Sequence, residues 1–292
     1  MAARGKNISV YLMDGDATGR MKATIANWTG VAYRIPRTSI DLCKDREDLK
    51  QSGVYFLFGI DDQTGENVVY IGQAGARKNG EGVLNRLSEH KRNPDKDYWT
   101  EAVVFTTSNN SFGPTEISFL ENRFCGIAQD AKRYTVKNGN DPTHGNITEE
   151  KESELEEFVD FARLIMGVLG HKVFEPLFKA EALVVEQTPA KETPLLHFET
   201  KRVQAVGRIV ADGFVILKGS KLDPSISKSC PSNVVEYRQK YSGRIVEDVL
   251  AEDILLPSPS AAASFVSGSS RNGNITWKTK DGVELGQLED TI

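Results

Sequence analysis

The sequence contains little cysteine and no long apolar run. Its three cysteines, Cys43, Cys125 and Cys230, lie far apart and are odd in number, which excludes a disulfide framework and a zinc site of paired cysteines. We expect them to be buried thiols in a reducing compartment. No apolar stretch approaches the about 20 residues that a membrane-spanning helix needs, and residues 8–13 are too short for a signal-peptide core. The sequence therefore predicts a cytoplasmic protein with no membrane partner.

A basic excess of the kind common in nucleic-acid-binding proteins is also missing. The formal net charge at pH 7 is −5. The acidic residues are concentrated in residues 141–200, however, and residues 1–52 carry an excess of lysine and arginine. The composition therefore still allows a local basic groove outside the acidic segment.

Histidine is scarce, and three of the four histidines have no metal-ligand spacing. These three are His144, His171 and His197. We interpret them as loop or capping residues. The fourth, His90, lies in a helical segment and belongs to a different pattern, described below.

Two β-rich segments in the first half of the chain predict a hairpin. Residues 53–60 and 67–73 are rich in β-branched and aromatic residues, and a turn cluster containing Gly65 separates them. Further strands are predicted over residues 8–13, within 20–40 and over 103–107. Apolar residues at helical spacing predict helices over residues 83–91, 114–130 and 149–169.

The last third of the chain has strand and turn patterns of its own. Residues 205–210 and 213–217 predict a second hairpin. Residues 257–270 could form a flexible Ser/Ala linker, but we favour a short helix. Its N-cap would be Ser258, its first residue Pro259 and its end Gly268.

Asn272-Gly273 then predicts a turn.

These patterns indicate an α/β protein of the α+β type with four segments. They are a β-rich N-terminal extension (1–50), a core with its C-terminal helix (51–178), a linker (179–200) and a small α+β domain (201–292). The length is sufficient for about two domains.

Five residues in the core segment could together hydrolyse a phosphodiester. Neighbouring antiparallel strands would bring Tyr55 and Tyr70 close together. Arg86 and His90, four residues apart, would lie on one helix face, and a guanidinium binds phosphate well. Glu121 supplies the hard oxygen ligand that magnesium prefers. Metal, phosphate contact and a group to position water are the requirements of this chemistry.

Each of these residues also has a simpler interpretation when it is taken alone. Tyr55 and Tyr70 could be packed strand aromatics. Arg86 could be a solvated helix residue. Glu121 is harder to explain in this way, because a carboxylate beside apolar helix residues needs a partner. The functional interpretation depends on the set.

The blocks Gly53-Val54-Tyr55 and Tyr70-Ile71-Gly72, with the arginine, histidine and glutamate that follow them, resemble the GIY-YIG nuclease family. The resemblance implies a small antiparallel three-stranded sheet flanked by helices and one bound divalent cation, Mg²⁺ or Mn²⁺. Tyr55 would be the general base or a water-positioning phenol, supported by Tyr70. Arg86 would contact phosphate, with His90 as its helper, and Glu121 would bind the metal.

The same resemblance extends to further residues. Asn138 resembles the asparagine that closes the family core and would belong to the substrate-binding set. Arg77 and Lys78, in a glycine-rich loop, could contact the nucleic-acid backbone or could simply be solvated. Residues 257–280 resemble a C-terminal domain of unknown function that such nucleases carry.

The expected function is therefore a metal-dependent endonuclease acting on DNA, in defence or repair, with RNA as an open alternative. A second hypothesis is a nucleic-acid-binding module whose nuclease core is silent or gated. A third is a protein whose residues 201–292 recruit partners. The sequence makes no prediction about the oligomeric state.

Overall fold

The computed structural model of the chain describes residues 5–75, 82–139, 147–177 and 194–289. The chain divides after Pro176 into two compact units. No helix within these described ranges is long and apolar enough to cross a membrane. Cys43 and Cys125 are buried, as predicted, whereas Cys230 is partly exposed, and all three are free thiols.

The first unit is built on a sheet whose seven described strands have the order β1-β2-β3-β6-β4-β5-β7. Neighbouring strands are antiparallel except for β5 and β7, which are parallel. The strands are β1 (Ile8–Leu12), β2 (Met21–Ile25), β3 (Gly30–Pro36), β4 (Gly53–Ile60), β5 (Asn67–Ala74), β6 (Trp99–Thr107) and β7 (Thr135–Val136). The α-helices described in this unit are α1 (Val83–Arg92), α2 (Pro114–Ala131) and α3 (Glu149–Val168).

The central strand β4 contributes to two hydrophobic cores, because successive side chains of a strand point to opposite faces. Phe56 and Phe58 pack in the core formed with α2 and α3. Tyr55 and Leu57 pack in the core formed with α1 and with the 3₁₀ helix Arg37–Cys43. The first glycine-tyrosine block therefore lies on a strand that is buried on both faces.

Most of the predicted elements of this unit are confirmed. The hairpin is formed by β4 and β5. The helices predicted over 83–91, 114–130 and 149–169 agree with α1, α2 and α3 to within one residue at each end. The local patterns were strong here because each helix has an apolar face with a regular spacing.

The sheet of the first unit is larger than the three-stranded sheet that we expected. Strands β6, β4 and β5 are adjacent, as in the expected core, but β3 pairs along the other side of β6. The N-terminal extension predicted over residues 1–50 is β-rich as expected, and its strands β1, β2 and β3 belong to the same sheet. The unit is a mixed α+β structure with a large sheet.

The second unit has a four-stranded antiparallel sheet of order β13-β10-β9-β8 and a two-stranded ribbon of β11 and β12. The strands are β8 (Leu196–Glu199), β9 (Gln204–Val210), β10 (Gly213–Ile216), β11 (Ile245–Val246), β12 (Val249–Leu250) and β13 (Ile254–Leu256). The helices are α4 (Ser232–Lys240), α5 (Pro259–Ser267), α6 (Gly273–Thr276) and α7 (Leu285–Glu289). Phe214, Phe265 and Trp277 are fully buried in its core.

The hairpin and the helix predicted in this unit are confirmed. Strands β9 and β10 form the hairpin. Helix α5 begins with Pro259, and the Ser258 hydroxyl accepts a hydrogen bond from the Ala261 amide at 3.1 Å. Gly268 ends the helix with a φ of 62°, a conformation that favours glycine.

The turn predicted at Asn272-Gly273 is wrong. The Asn272 side chain caps α6, accepting a hydrogen bond from the Asn274 amide at 3.0 Å. Asparagine and glycine favour turns and helix starts alike, so the local pattern did not distinguish them. Strand β8 occupies the last part of the segment predicted as a linker (179–200), most of which is outside the described residues.

The three histidines that lacked metal-ligand spacing have different outcomes. His171 lies in the loop after α3, as predicted, with Nε2 2.9 Å from Glu101 Oε1. His197 lies on β8, so its assignment as a loop or capping residue is wrong. His144 lies outside the described residues.

Candidate active site

The two glycine-tyrosine blocks are held together by the register of the β4–β5 hairpin. Tyr55 on β4 is directly opposite Gly72 on β5. A Cβ built on Gly72 would overlap the hydroxyl and the ring of Tyr55. Because Gly72 has no side chain, the Tyr55 side chain can lie across the neighbouring strand. Tyr55 is only 1% exposed.

Tyr55 pairs with His90 from α1. The Tyr55 hydroxyl lies 2.7 Å from His90 Nε2, and His90 is 3% exposed. Burial lowers the pKa of His90 to about 4, and the positive charges of Lys96 and Arg86 add to the effect. The imidazole is therefore neutral at pH 7 and shares a hydrogen bond with the phenol.

Tyr70 completes an aromatic cluster with this pair. Its ring centroid lies 6.3 Å from that of Tyr55 and 5.4 Å from that of His90. Burial is the main cause that raises the pKa of both tyrosines, and the negative charge of Glu121 adds to it. Both phenols are therefore protonated at neutral pH. Of the two roles expected for Tyr55, positioning a water molecule is favoured over acting as a general base.

Lys96 belongs to the same cluster, although no motif in the sequence indicated it. Its Nζ lies 3.2 Å from the centroid of the Tyr70 ring, which is a cation–π contact. Burial lowers the pKa of Lys96 to about 8, and the charge of Arg86 contributes. The lysine follows α1 in a short 3₁₀ helix, Pro94–Lys96, and no motif spacing marks such a residue.

Arg86 lies one turn before His90 on α1, and its side chain is 41% exposed. The guanidinium Nη1 lies 2.7 Å from Glu89 Oε2 on the same helix. The Arg86 charge also opposes the effect of burial on the pKa of Tyr55. The arginine is therefore within electrostatic range of the phenol and still open to solvent.

Glu121 reaches the cluster from α2. Its Oε2 accepts a hydrogen bond of 2.8 Å from Gln73 Nε2 on β5. Burial raises the pKa of this carboxyl group, whereas Gln73 and the charge of Arg86 act in the opposite direction. Its charge in turn raises the pKa of Tyr55 and Tyr70, so the carboxylate lies within electrostatic range of both phenols.

The other predicted substrate-binding residues are placed as follows. The Asn138 amide donates to Ile71 O at 2.7 Å and accepts from Ile71 N at 3.1 Å, so it continues the edge of the sheet beyond β7. Both polar atoms of its side chain are thus used to hold β5. Arg77 and Lys78 lie outside the described residues.

The donor set around Glu121 is compatible with magnesium or manganese. Across the described ranges, no three His, Cys, Asp or Glu side chains are grouped as a complete metal site. Magnesium, however, commonly binds one or two carboxylates and completes its shell with water and substrate phosphate. The half-buried carboxylate of Glu121 fits a site of that kind, since its hydrogen-bond donor, the Gln73 side chain, is a neutral amide.

The 3₁₀ helix Arg37–Cys43 supports α1 through contacts that the sequence did not predict. The guanidinium of Arg37 donates to Lys91 O at 3.2 Å, at the end of α1, and to Asp97 O at 2.9 Å. Lys91 Nζ also lies 2.7 Å from Asp41 Oδ2. These contacts fix the helix end and the segment that carries Lys96. They join residues that are 50 or more positions apart, so no local signal could have indicated them.

The chain thus has a first unit of mixed α+β structure that carries this polar cluster, and a smaller second unit. Residues 196–289, in the second unit, match the family model of DUF4357, a domain of unknown function. The predicted C-terminal domain of unknown function is therefore present. The match includes none of the residues of the candidate site. No curated protein and no solved structure matches the chain.

Proposed function

We propose that the protein is a metal-dependent endonuclease of the GIY-YIG type that hydrolyses phosphodiester bonds in DNA. The observation that carries this proposal is the convergence of five residues from four elements. They interact through a hydrogen bond, ring contacts and electrostatic effects: Tyr55, Tyr70, Arg86, His90 and Glu121. Packing alone does not require a half-buried carboxyl, a guanidinium and two phenols at one point.

The side chains divide the chemistry among them. The Tyr55 hydroxyl, held by its hydrogen bond with His90, orients the attacking water. Arg86 and Lys96 offset the negative charge that develops on the phosphoryl oxygens. Tyr70 holds Lys96 by its ring face. All of these groups are positioned before substrate binds, which lowers the reorganisation that the reaction requires.

Glu121 would hold the divalent cation, Mg²⁺ or Mn²⁺. When bound, the metal supplies a Lewis acid that polarises the phosphoryl group. Its affinity depends on an ionised carboxylate. Burial of Glu121 raises its pKa, so we expect metal binding to weaken as the pH falls.

A nucleic-acid-binding module with a gated core is the second candidate. Arg86 is ion-paired with Glu89 at 2.7 Å, and a phosphate must share or displace that partner. This arrangement is compatible with an arginine that is released only when a substrate or another partner binds. Recruitment of a protein partner through the second unit is a related alternative.

A cleavage panel tests the proposal. The full chain is incubated with supercoiled plasmid, branched DNA and structured RNA, with Mg²⁺, with Mn²⁺ or with EDTA. We expect metal-dependent nicking of DNA and none with EDTA. Cleavage of RNA alone would correct the substrate class. Salt-sensitive DNA binding without any cleavage would favour the gated module, and the absence of both would overturn the proposal.

A further inference from the structure

The second unit contains a cavity of about 540 Å³ beside the edge strand β8. One wall is formed by His197 and Glu199 of β8. The other is formed by Arg271, which precedes α6, and by residues at the end of α6 and after it: Ile275, Thr276, Lys278, Thr279, Lys280 and Gly282. The volume lies in the range of about 300–1,000 Å³ that is typical of small-molecule sites.

The charge of this cavity is predominantly positive. Arg271, Lys278 and Lys280 line it, against the single carboxylate of Glu199. Lys278 is partly neutralised, because its Nζ lies 3.0 Å from Glu284 Oε1. Arg271 and Lys280 are exposed and form no ion pair with any residue that the structure describes. Two cations are therefore free to bind an anion.

The wall that carries these cations is fixed by hydrogen bonds. Trp277 is fully buried, and its Nε1 donates to Pro259 O at 2.9 Å. The next turn is closed by the Thr279 amide, which donates to Val283 O at 2.8 Å. Lys278 and Lys280 flank Thr279 and so project from an ordered backbone.

Backbone pairing argues against an added peptide strand as the occupant. The outer edge of β8 already pairs with Lys278: the His197 amide donates to Lys278 O at 2.7 Å, and the Lys278 amide donates to His197 O at 3.0 Å. A peptide that extends the sheet would need the same groups. Ile275 is 55% exposed at the cavity and offers an apolar surface beside the cations. Cations next to an apolar surface suit a nucleotide.

We propose that this cavity binds a phosphate-bearing ligand of the nucleotide class. Arg271 and Lys280 contact the phosphate, and Ile275 packs against the nucleoside. The ligand is either a phosphate group within a nucleic-acid strand or a free nucleotide, since both present the same chemistry to these side chains. The proposal concerns the second unit and does not depend on cleavage by the first.

The test is a binding titration of the full chain in EDTA, which removes metal-dependent cleavage. The probes are short fluorescein-labelled single-stranded DNA and a fluorescent ATP analogue. The variants are Arg271→Glu and Lys280→Glu. The matched control is Lys228→Glu, which reverses an exposed lysine of the same unit outside the cavity. Thermal unfolding of all four proteins establishes that the variants fold.

We expect each cavity variant to weaken binding about fivefold to tenfold, and the control to have no effect. If DNA binding is affected, the salt dependence should also decrease by about one unit of slope per lost contact, which identifies a strand as the ligand. If only the ATP analogue is affected, the ligand is a free nucleotide. Equal binding of both probes by wild type and all variants, or no binding of either probe, would overturn the proposal.

Discussion

The hydroxyl of Tyr55 lies 2.7 Å from Nε2 of His90, and both residues are almost completely buried. This contact joins the central strand β4 to helix α1. It therefore fixes the helix that carries Arg86 relative to the hairpin that carries both tyrosines. Burial keeps the phenol protonated and the imidazole neutral, so the pair joins the two elements without a buried charge at neutral pH.

Replacing Tyr55 by phenylalanine should abolish most of the proposed activity. The ring and its packing remain, but the hydroxyl that orients water is lost, and we expect cleavage to decrease by about 100-fold or more. Tyr33→Phe is the matched control, because Tyr33 is also a buried tyrosine of this core and bonds to Asp48. Plasmid nicking rates measure both. Full activity in Tyr55→Phe would exclude the hydroxyl from the reaction.

Gly72→Ala should destabilise the first unit. The added methyl group would overlap Tyr55, and overpacking of a buried site costs about 1–3 kcal/mol. Gly75→Ala is the control on the same segment, since the nearest atom to its Cβ is Ile117 Cδ1 at 3.9 Å. Urea unfolding measures both. Equal stability of the two variants would mean that the Tyr55 ring does not need the space above Gly72.

The stability of the first unit should decrease in mild acid because of His90. Its pKa is about 4 when folded and 6.5 as the ordinary value. Between these values the unfolded chain binds a proton that the folded chain does not, so stability falls as the pH decreases from 6.5.

Urea unfolding at pH 7 and pH 5 measures this effect. The wild type should lose up to about 2 kcal/mol more than His90→Gln, because glutamine does not titrate. The same loss in both proteins would show that other groups cause the pH dependence.

Lys96 should set an alkaline limit on cleavage. Its pKa is lowered to about 8, so the ammonium group that offsets phosphate charge is present below that pH and is lost above it. We expect the wild-type rate to fall above pH 8 and Lys96→Arg to extend the active range, because arginine stays charged.

Lys96→Met should be slower than wild type below pH 8, and the difference should disappear at higher pH as the wild-type lysine loses its charge. The exposed Lys44→Met provides the control for loss of a positive charge. An unchanged pH–rate profile in Lys96→Arg would show that the charge of Lys96 does not set the alkaline limit on cleavage.

Much of the first unit could be predicted because its signals are local. The hairpin at Tyr55 and Tyr70 followed from β-branched residues around a turn, and helices α1 to α3 followed from apolar spacing. The cap at Ser258 was likewise a property of a few neighbouring residues. Local patterns of this kind predict the type of the strand, helix or cap in which they occur.

The features that the sequence did not predict depend on contacts between segments that are far apart in the chain. The pairing of β3 with β6 brings Ala32 opposite Phe105, and neither sequence specifies its partner. The same reason applies to the hydrogen bond from Arg37 to the end of α1 and to the cation–π contact of Lys96 with Tyr70. Strand propensity indicates that an edge must pair but not with which strand.

The central claim is that Glu121 supplies the metal ligand of a nuclease, and one comparison tests it most directly. Supercoiled plasmid is incubated with Mg²⁺ and wild type, Glu121→Ala or Asp130→Ala, the last removing an exposed carboxylate from the same helix. We predict nicking by wild type and Asp130→Ala, and at least about 100-fold less by Glu121→Ala. Nicking by Glu121→Ala at the wild-type rate would contradict the account.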